Sequence, residues 1–411
     1  MRCETPSNRY TGHWPTADAV VCATPQPDDD VPAHTVQAAL RQHLEAAWPR
    51  LGVLDTHTVR VLHRLRDCKT QAMGVHRHRC MACGWRGVVA NRCGDRHCAG
   101  CSGTVARAWE TTQAQRMLDI AHFQVVFTLP SELRAFARLR PRWMYACLMR
   151  CAAHVLMSQA HEHWDAVPGI TAVLHTWNTE LLHHPHVHLL LTAGGLRDDG
   201  AWHGARADYL WPTKVLGARF RGIVLKHLID ARDNGVLQLD DEQHRVLRDA
   251  VHDVAKRHAR WVVHVEPPKG RPVHAVRRYL ARYVGRVALT DDRVVNVADE
   301  TVTFRTRTGQ KTLSGVEFVR RFVQHILPSG FHRVRHSGLY APAAAKRLQV
   351  ARNALIATGQ MSQPPEEEPE QEREPLACPE CGSHRIVVLY GMLLPRGWGA
   401  DGAPVGARGP P

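Results

Sequence analysis

The chain has 411 residues, and its 53 basic and 39 acidic side chains give a formal net charge of +14. This length allows two or three domains with cores of their own, and no apolar run approaches the roughly 20 residues of a membrane span. Only seven of the basic residues are lysine. The arginine guanidinium matches phosphate oxygens, which favours a polynucleotide-binding protein, although a GC-rich genome would also enrich arginine.

The cysteines indicate metal ligands rather than disulfides. The N-terminus has no basic region followed by an apolar core, so no secretory signal is predicted and a cytoplasmic, nucleoid-associated protein is expected. In such a compartment, cysteines that cluster with histidines are typical of metal sites.

Predicted helices and predicted strands alternate along the chain. Residues 1–34 are rich in Pro, Asp and Thr and are predicted to be disordered, whereas 35–66 has apolar stripes at the spacing of two helices. The mixture of elements that follows predicts an α+β fold. The predicted strands are 124–129, 171–177, 187–193, 261–267 and short ones near 286–297 and 301–307, and the predicted helical regions run up to about 163, over 212–258 and over 273–285.

The C-terminal part has a different composition. Residues 361–377 are acidic and proline-rich, which predicts a linker. The tail, 378–411, contains a further Cys-x-x-Cys pair, Cys378 and Cys381. A zinc site, a distant pairing and a reactive thiol pair are all open interpretations of it.

Six cysteines between positions 68 and 101 predict a zinc module. They include two Cys-x-x-Cys knuckles, at 80/83 and 98/101, whose separation is typical of a tetrathiolate zinc site. The candidate ligands for one or two structural Zn²⁺ ions are Cys68, His76, Cys80, Cys83, Cys93, His97, Cys98 and Cys101. The simplest partition joins both knuckles in one site and the other four residues in a Cys₂His₂ site, in which His78 could replace His76. Four protein ligands leave no open position, so the predicted role is structural.

His186 and His188 are candidate ligands of a second kind of metal. On a strand, side chains at i and i+2 project from the same face. Two imidazoles on one rigid strand form the base of a divalent-metal site that a third side chain and substrate oxygens complete. Surface or core histidines are the alternative, which the apolar strand and Gly194-Gly195 after it make less attractive.

Tyr279 and Tyr283 are candidate nucleophiles. Residues at i and i+4 share one face of a helix, and Arg278, Arg282 and Arg286 surround this pair with groups that bind phosphates. Ordinary packing is the alternative. A metal that polarises a phosphodiester would compensate for the poor nucleophilicity of a phenol, and the product would be a 5′-phosphotyrosine with a free 3′-hydroxyl.

In this order, the elements resemble the two-tyrosine HUH transposases of rolling-circle insertion sequences, the IS91 family. CGDRHCAGC at 93–101 looks like that family's zinc-binding domain. The blocks that look like its catalytic domain are FTLP (127–130), HTWN (175–178), HHPHVHLLLTAGG (183–195), RYLARYVGRVAL (278–289), VTFR (302–305) and FVRRFVQHILPSGFHRVRHSGL (318–339).

The resemblance implies a helical and zinc-binding DNA-binding domain at 35–110, followed at 120–340 by an HUH-endonuclease-like antiparallel sheet with flanking helices. It implies His186 and His188 as ligands of Mg²⁺ or Mn²⁺, and Tyr279 and Tyr283 as nucleophiles. His175 is favoured as the third ligand, because its strand would run beside His186. The alternatives are Asn178, Glu180 and His184.

The expected activity is therefore that of a DNA transposase that nicks and transfers single-stranded transposon ends. A plasmid replication initiator or relaxase would share the chemistry, but the zinc module ahead of the catalytic domain favours a transposase. A non-catalytic zinc-dependent DNA-binding protein is the alternative of a different class.

Overall fold

The computed structural model describes residues 32–103, 109, 116–206, 208–256, 261–268, 284–362 and 376–389. Over these ranges the chain forms a mixed α+β fold of antiparallel sheets and helices, which confirms the fold class predicted from the sequence. Among the helices in these ranges, none is long and apolar enough to cross a membrane.

The first two helices start at residues that cap helices well. The Thr35 side chain accepts a hydrogen bond from the Ala38 amide, and the Asp55 carboxylate accepts one from the Thr58 amide. These helices confirm the prediction for 35–66. In chain order the helices are α1 (Val36–Leu51), α2 (Thr56–Arg66), α3 (Arg134–Leu139), α4 (Pro141–Trp164), α5 (Thr213–Asp233), α6 (Asp241–Lys256), α7 (Gly315–Val323) and α8 (Ala345–Ala357).

The strands form four antiparallel groups. In chain order they are β1 (Val75–Cys80), β2 (Arg86–Ala90), β3 (His122–Thr128), β4 (Gly169–Trp177), β5 (His183–Thr192), β6 (Gly194–Leu196), β7 (Trp202–Gly204), β8 (Val263–Glu266), β9 (Val294–Val297), β10 (Thr301–Arg305), β11 (Gln310–Ser314), β12 (Val334–Gly338) and β13 (Ile386–Leu389). The sheet orders are β12-β4-β5-β3-β8, β13-β1-β2, β11-β10-β9 and β6-β7.

The five-stranded sheet separates an apolar face from a polar one. Because side chains alternate along a strand, Val187, Leu189 and Leu191 of β5 point to one side, where they enter a fully buried core with α4 and α5. His186 and His188 point to the other side. We call this second side the histidine face.

A second core joins the start of the chain to residues near position 300. Helix α1 packs against α7, and the cluster includes residues of α2 and of the sheet β9 to β11. The backbone N–H of Val36, at the start of α1, donates to the Asp291 carboxylate at 2.9 Å. Two segments that the sequence assigns to different domains therefore share one core. The predicted domain boundaries at 110, 120 and 340 remain predictions.

Some predicted features lie outside the described residues. These include 1–31 of the predicted disordered segment, 363–375 of the acidic linker and 273–283 of the predicted tyrosine helix. Strand β12 was not predicted, because its sequence, Val-Arg-His-Ser-Gly, lacks apolar alternation. It is an edge strand with intermediate exposure throughout, which such a sequence suits.

Candidate metal centres and strand-transfer site

Three histidines meet on the histidine face. His175 of β4 lies directly opposite His186 of β5. The ring centroid of His175 is 5.4 Å from that of His186 and 4.8 Å from that of His188. One nitrogen from each of the three lies within 4.8 Å of the others, a spacing that a single metal ion could bridge. We call His175, His186 and His188 the histidine cluster.

Neighbouring groups hold these rings in place. A carbonyl oxygen only accepts, so Nδ1 of His186 must donate its hydrogen to the His184 carbonyl, 2.7 Å away. This tautomer leaves Nε2 with its lone pair available for a metal. The indole of Trp177 stacks on the His175 ring, with centroids 4.6 Å apart and planes at 19°.

Burial keeps His186 and His188 uncharged. The pKa of His186 is lowered to about 4 and that of His188 to about 2, mainly by desolvation and in smaller part by the positive charge of Arg286. Neutral imidazole is the form that binds metals. Both rings are therefore in that form at neutral pH without a metal.

The other residues that the sequence offered as a third ligand make hydrogen bonds elsewhere in the structure. The Asn178 side chain accepts hydrogen bonds at 2.9 Å from the amides of Glu180 and Leu182 and so shapes the β4–β5 turn. Nδ1 of His184 accepts from Arg134 at 2.7 Å. The structure groups His175, rather than either of these residues or Glu180, with His186 and His188.

Four of the predicted strand-transfer residues, Tyr279, Tyr283, Arg278 and Arg282, lie outside the described residues. The described part of the chain begins again at Val284, immediately after the second tyrosine. Val284 is buried in a cluster with Val173 and Leu190. Val173 lies opposite His188, so this cluster covers part of the histidine face. Arg286 is exposed, and its charge reaches His186 and His188.

Four cysteines form a buried cluster beneath the N-terminal helices. Cys68, Cys93, Cys98 and Cys101 are all buried, with Sγ–Sγ distances of 3.6 to 3.8 Å. A zinc tetrahedron with bonds of about 2.3 Å has edges of about 3.8 Å, so the four thiols fit Zn²⁺. This first cysteine cluster is part of the core formed by α1, α2 and α7.

The predicted partition of the zinc ligands is wrong. The β1–β2 hairpin carries Cys80 and Cys83 to its tip, whereas Cys68 and Cys93 flank its base, where the Lys69 amide donates to the Asn91 carbonyl at 3.0 Å. Five residue pairs separate base from tip, a distance of roughly 17 Å at strand rise. The knuckle at 98/101 therefore joins the base of the hairpin rather than its tip.

The two histidines of the predicted Cys₂His₂ site have other partners. His97 uses both ring nitrogens, since Nδ1 donates to Asp95 at 2.8 Å and Nε2 accepts from the Leu327 amide at 3.1 Å. His76 bonds through Nδ1 to the Asn91 side chain at 2.8 Å. Within the described parts of the chain, neither these histidines nor His78 belongs to a group with the ligand geometry of a metal site.

The tip of the hairpin meets the far end of the chain instead. Cys80 and Cys83 group with Cys378 and Cys381, and we call these four residues the second cysteine cluster. The sequence contains a signal for this pairing. The Cys-x-x-Cys pairs 80/83 and 378/381 are each followed directly by glycine, Gly84 and Gly382, whereas the pair 98/101 is followed by serine.

The fold thus defines an α+β protein with a cysteine-rich N-terminal module built into its core and three groups of side chains that could each hold a metal ion. Two family descriptions match this chain: "Transposase zinc-binding domain" over residues 39–129 and "Putative transposase" over residues 169–348. The second range contains the histidine cluster. No solved structure matches the chain.

Two curated relatives were found. The chain is 36% identical over 313 residues to "Putative transposase y4qJ" of Sinorhizobium fredii (strain NBRC 101917 / NGR234), covering 72% of this chain and 78% of the relative. It is 28% identical over 310 residues to the "Transposase for insertion sequence element IS801" of Pseudomonas savastanoi pv. phaseolicola, covering 72% and 73%. The chain belongs to the IS91 family of transposases and has an N-terminal zinc-binding domain.

Proposed function

We propose that this transposase nicks one DNA strand and transfers it through a 5′-phosphotyrosine intermediate during rolling-circle transposition. One observation carries the proposal. The histidine cluster lies on the face of the sheet against which Val284, the residue after Tyr283, is packed. A nucleophile on this segment and a metal on this face would act on the same phosphodiester.

The donor set favours Mn²⁺ over Mg²⁺ in the catalytic site. Imidazole suits the later transition metals, and Mg²⁺ prefers carboxylate and water oxygens. Mn²⁺ accepts both kinds of donor. When bound, the cation would polarise the scissile phosphate and leave positions for its oxygens.

Tyr279 or Tyr283 would carry out the covalent step. The phenol oxygen forms a bond to phosphorus as its proton passes to solvent, and the bond from phosphorus to the 3′ oxygen breaks. The leaving oxygen takes up a proton and becomes a 3′-hydroxyl. The phosphotyrosine keeps the energy of the broken bond, so a second transfer rejoins DNA without ATP. Two tyrosines allow two such transfers in succession.

DNA binding would use arginines on two surfaces. Arg286 is exposed beside the histidine cluster, and on the hairpin Arg77, Arg79 and Arg86 are exposed. Arg79 and Arg86 lie directly opposite each other on β1 and β2. Like charges in this position repel unless an anion lies between them, which supports a phosphate-binding role for this surface. The proposed ligand is a single-stranded transposon end.

The test is the formation of a covalent adduct. The full-length protein is incubated with a labelled single-stranded oligonucleotide of the element's terminus and Mn²⁺, and denaturing gels are read for a protein–DNA band. Tyr279→Phe and Tyr283→Phe should each keep some cleavage but lose complete strand transfer, and the double variant should form no adduct. Tyr209→Phe is the matched control, because Tyr209 is an exposed tyrosine well before Tyr279 and Tyr283 in the sequence.

Two results would contradict the proposal. An adduct in the double variant would mean that another residue is the nucleophile. If the wild-type protein binds the oligonucleotide but forms no adduct with Mn²⁺, the chain is a DNA-binding protein without this activity.

A further inference from the structure

The second cysteine cluster brings together residues from opposite ends of the described chain. Sγ of Cys80 lies 3.7 Å from that of Cys381, and Sγ of Cys83 lies 3.7 Å from that of Cys378. These distances are far longer than a disulfide bond of about 2.05 Å. They match the edge of about 3.8 Å that four thiolates adopt around zinc.

The two halves of the cluster have the same backbone conformation. In the first, the amide of Cys80 donates to the carbonyl of the residue five positions later at 2.8 Å, and the Gly84 amide donates back to the Cys80 carbonyl at 3.1 Å. In the second, Cys378 and Gly382 make the same two hydrogen bonds, at 2.9 and 2.8 Å. Each turn thus directs two thiols toward the other turn.

Both turns depend on a glycine. Gly84 has φ +78° and Gly382 has φ +68°, in the left-handed region that other residues rarely adopt. Apart from the adjoining residues, no atom of the described chain lies within 4 Å of the side-chain position at either glycine. The glycines are therefore required for backbone shape, not for space, as expected of a turn built to present ligands.

Strand pairing holds the two turns in register. β13 runs antiparallel to β1, and Cys80 lies opposite Ile386. The Met81 amide donates to the Arg385 carbonyl at 2.8 Å. A strand from the tail thus completes a three-stranded sheet with the zinc-module hairpin, and the two cysteine turns meet at one end of it.

From these observations we infer that Cys80, Cys83, Cys378 and Cys381 bind a second structural Zn²⁺, which fastens the C-terminal segment 376–389 to the N-terminal zinc module. Four thiolates select zinc over oxygen-binding cations. The matching domain description ends at residue 129, so half of this site lies well outside it.

The two zinc sites differ in exposure. Cys83 and Cys381 are exposed, whereas all four residues of the first cysteine cluster are buried. A chelator therefore reaches the second site more easily. We expect one zinc to leave the protein well before the other, and the early loss to leave the helical core folded.

Zinc content of the purified full-length protein tests the site. Wild-type protein should contain about two zinc ions per chain, and Cys378→Ser combined with Cys381→Ser should contain about one. Cys147→Ser combined with Cys151→Ser is the control, because this pair is buried in α4 away from both clusters and should keep two. A tail variant that keeps both zinc ions, or a wild-type protein with one, would overturn the inference.

Release of the tail provides a second measurement, in which all four cysteines of the site are kept. A protease site is introduced between residues 363 and 375, and the cleaved protein is passed over a sizing column. The tail should stay bound, and a chelator should release it while reductant alone should not. Release by reductant alone would show a disulfide in place of zinc, and release without either reagent would show that no link exists.

Discussion

The guanidinium of Arg333 donates a hydrogen bond of 3.0 Å to the carbonyl oxygen of Arg286. Arg333 is nearly fully buried, and although burial lowers its pKa to about 10, it remains charged at neutral pH. Its own carbonyl accepts from the amide of Leu174 on β4. One residue therefore connects the segment that follows the tyrosines to the strand that carries His175.

We predict that Arg333→Met slows adduct formation about tenfold and leaves DNA affinity within about twofold. The loss of one hydrogen bond worth about 1.4 kcal/mol in positioning the segment accounts for this factor. Adduct rates and fluorescence anisotropy measure the two quantities. Arg335→Met is the control, since Arg335 lies only two residues further along, on β12, but stands over the ring of Phe331, at 5.3 Å from its centroid. Equal losses in both variants would mean that β12 and the residues leading into it were disturbed as a whole.

The histidine cluster should be required for cleavage but not for binding. His186→Ala or His188→Ala removes a metal ligand while leaving the arginine–phosphate contacts that supply affinity. We expect adduct formation to fall at least a hundredfold, and the DNA dissociation constant to stay within about threefold. His154→Ala, at an exposed position of α4, controls for loss of an imidazole. Wild-type rates in either cluster variant would remove the metal from the mechanism.

Stability should fall in mild acid because of His325. Its ring lies between the Thr176 hydroxyl at 3.3 Å and the Leu181 carbonyl at 3.1 Å, and burial lowers its pKa from 6.5 to about 4. The unfolded chain therefore takes up a proton at a higher pH than the folded protein does. The stability that the neutral ring contributes is complete above pH 6.5 and is lost as the pH falls toward 4.

His325→Gln should make stability less dependent on pH. Between pH 7 and pH 5, the wild-type protein should lose about 2 kcal/mol more unfolding free energy than the variant. Urea unfolding at both pH values measures this difference, and comparing variants cancels the effects of zinc release and of other histidines. Identical pH slopes in the two proteins would show that His325 titrates normally.

A pair of glycine variants tests the core shared by α1 and α7. A methyl group at Gly315 would overlap the ring of His43, with Nδ1 of the ring 2.1 Å away. We expect Gly315→Ala to lower the unfolding free energy by about 1 to 3 kcal/mol. At Gly222, inside α5, no described atom outside the nearby helix backbone and the adjoining residues lies within 4 Å of an added methyl group, so Gly222→Ala should be neutral or raise stability by up to about 1 kcal/mol. Thermal unfolding compares them, and a harmless Gly315→Ala would mean that α1 and α7 do not pack closely in solution.

Local sequence patterns were sufficient to predict the features that depend on only a few neighbouring residues. His186 and His188 share a face because two positions along a strand bring side chains back to the same side. The helices α1 and α2 followed from apolar spacing and good capping residues. Cysteine spacing indicated zinc, which the "Transposase zinc-binding domain" match and the first cysteine cluster support.

Which cysteines group into one site depends on distances in the folded protein, and the spacing of cysteines along the sequence does not reveal these distances. Cysteines at 80 and 98 are close in sequence, yet the β1–β2 hairpin places them in different clusters. Cys378 and Cys381 reach the hairpin only through pairing of β13 with β1, across about 300 intervening residues. Such long-range pairing is set by backbone hydrogen bonds, which any sequence of suitable strand residues could make.

The sequence by itself therefore determined the α+β class, the six clustered cysteines between 68 and 101 as candidate metal ligands and the two histidines that share a strand. The tertiary structure decided which neighbour completes each set: His175 from β4 beside His186, and the distant tail beside Cys80 and Cys83. The physical reason is that a metal site needs several ligand atoms within a few ångströms of one another. Local chain geometry supplies at most two of these from one strand or turn, and folding must bring in the rest.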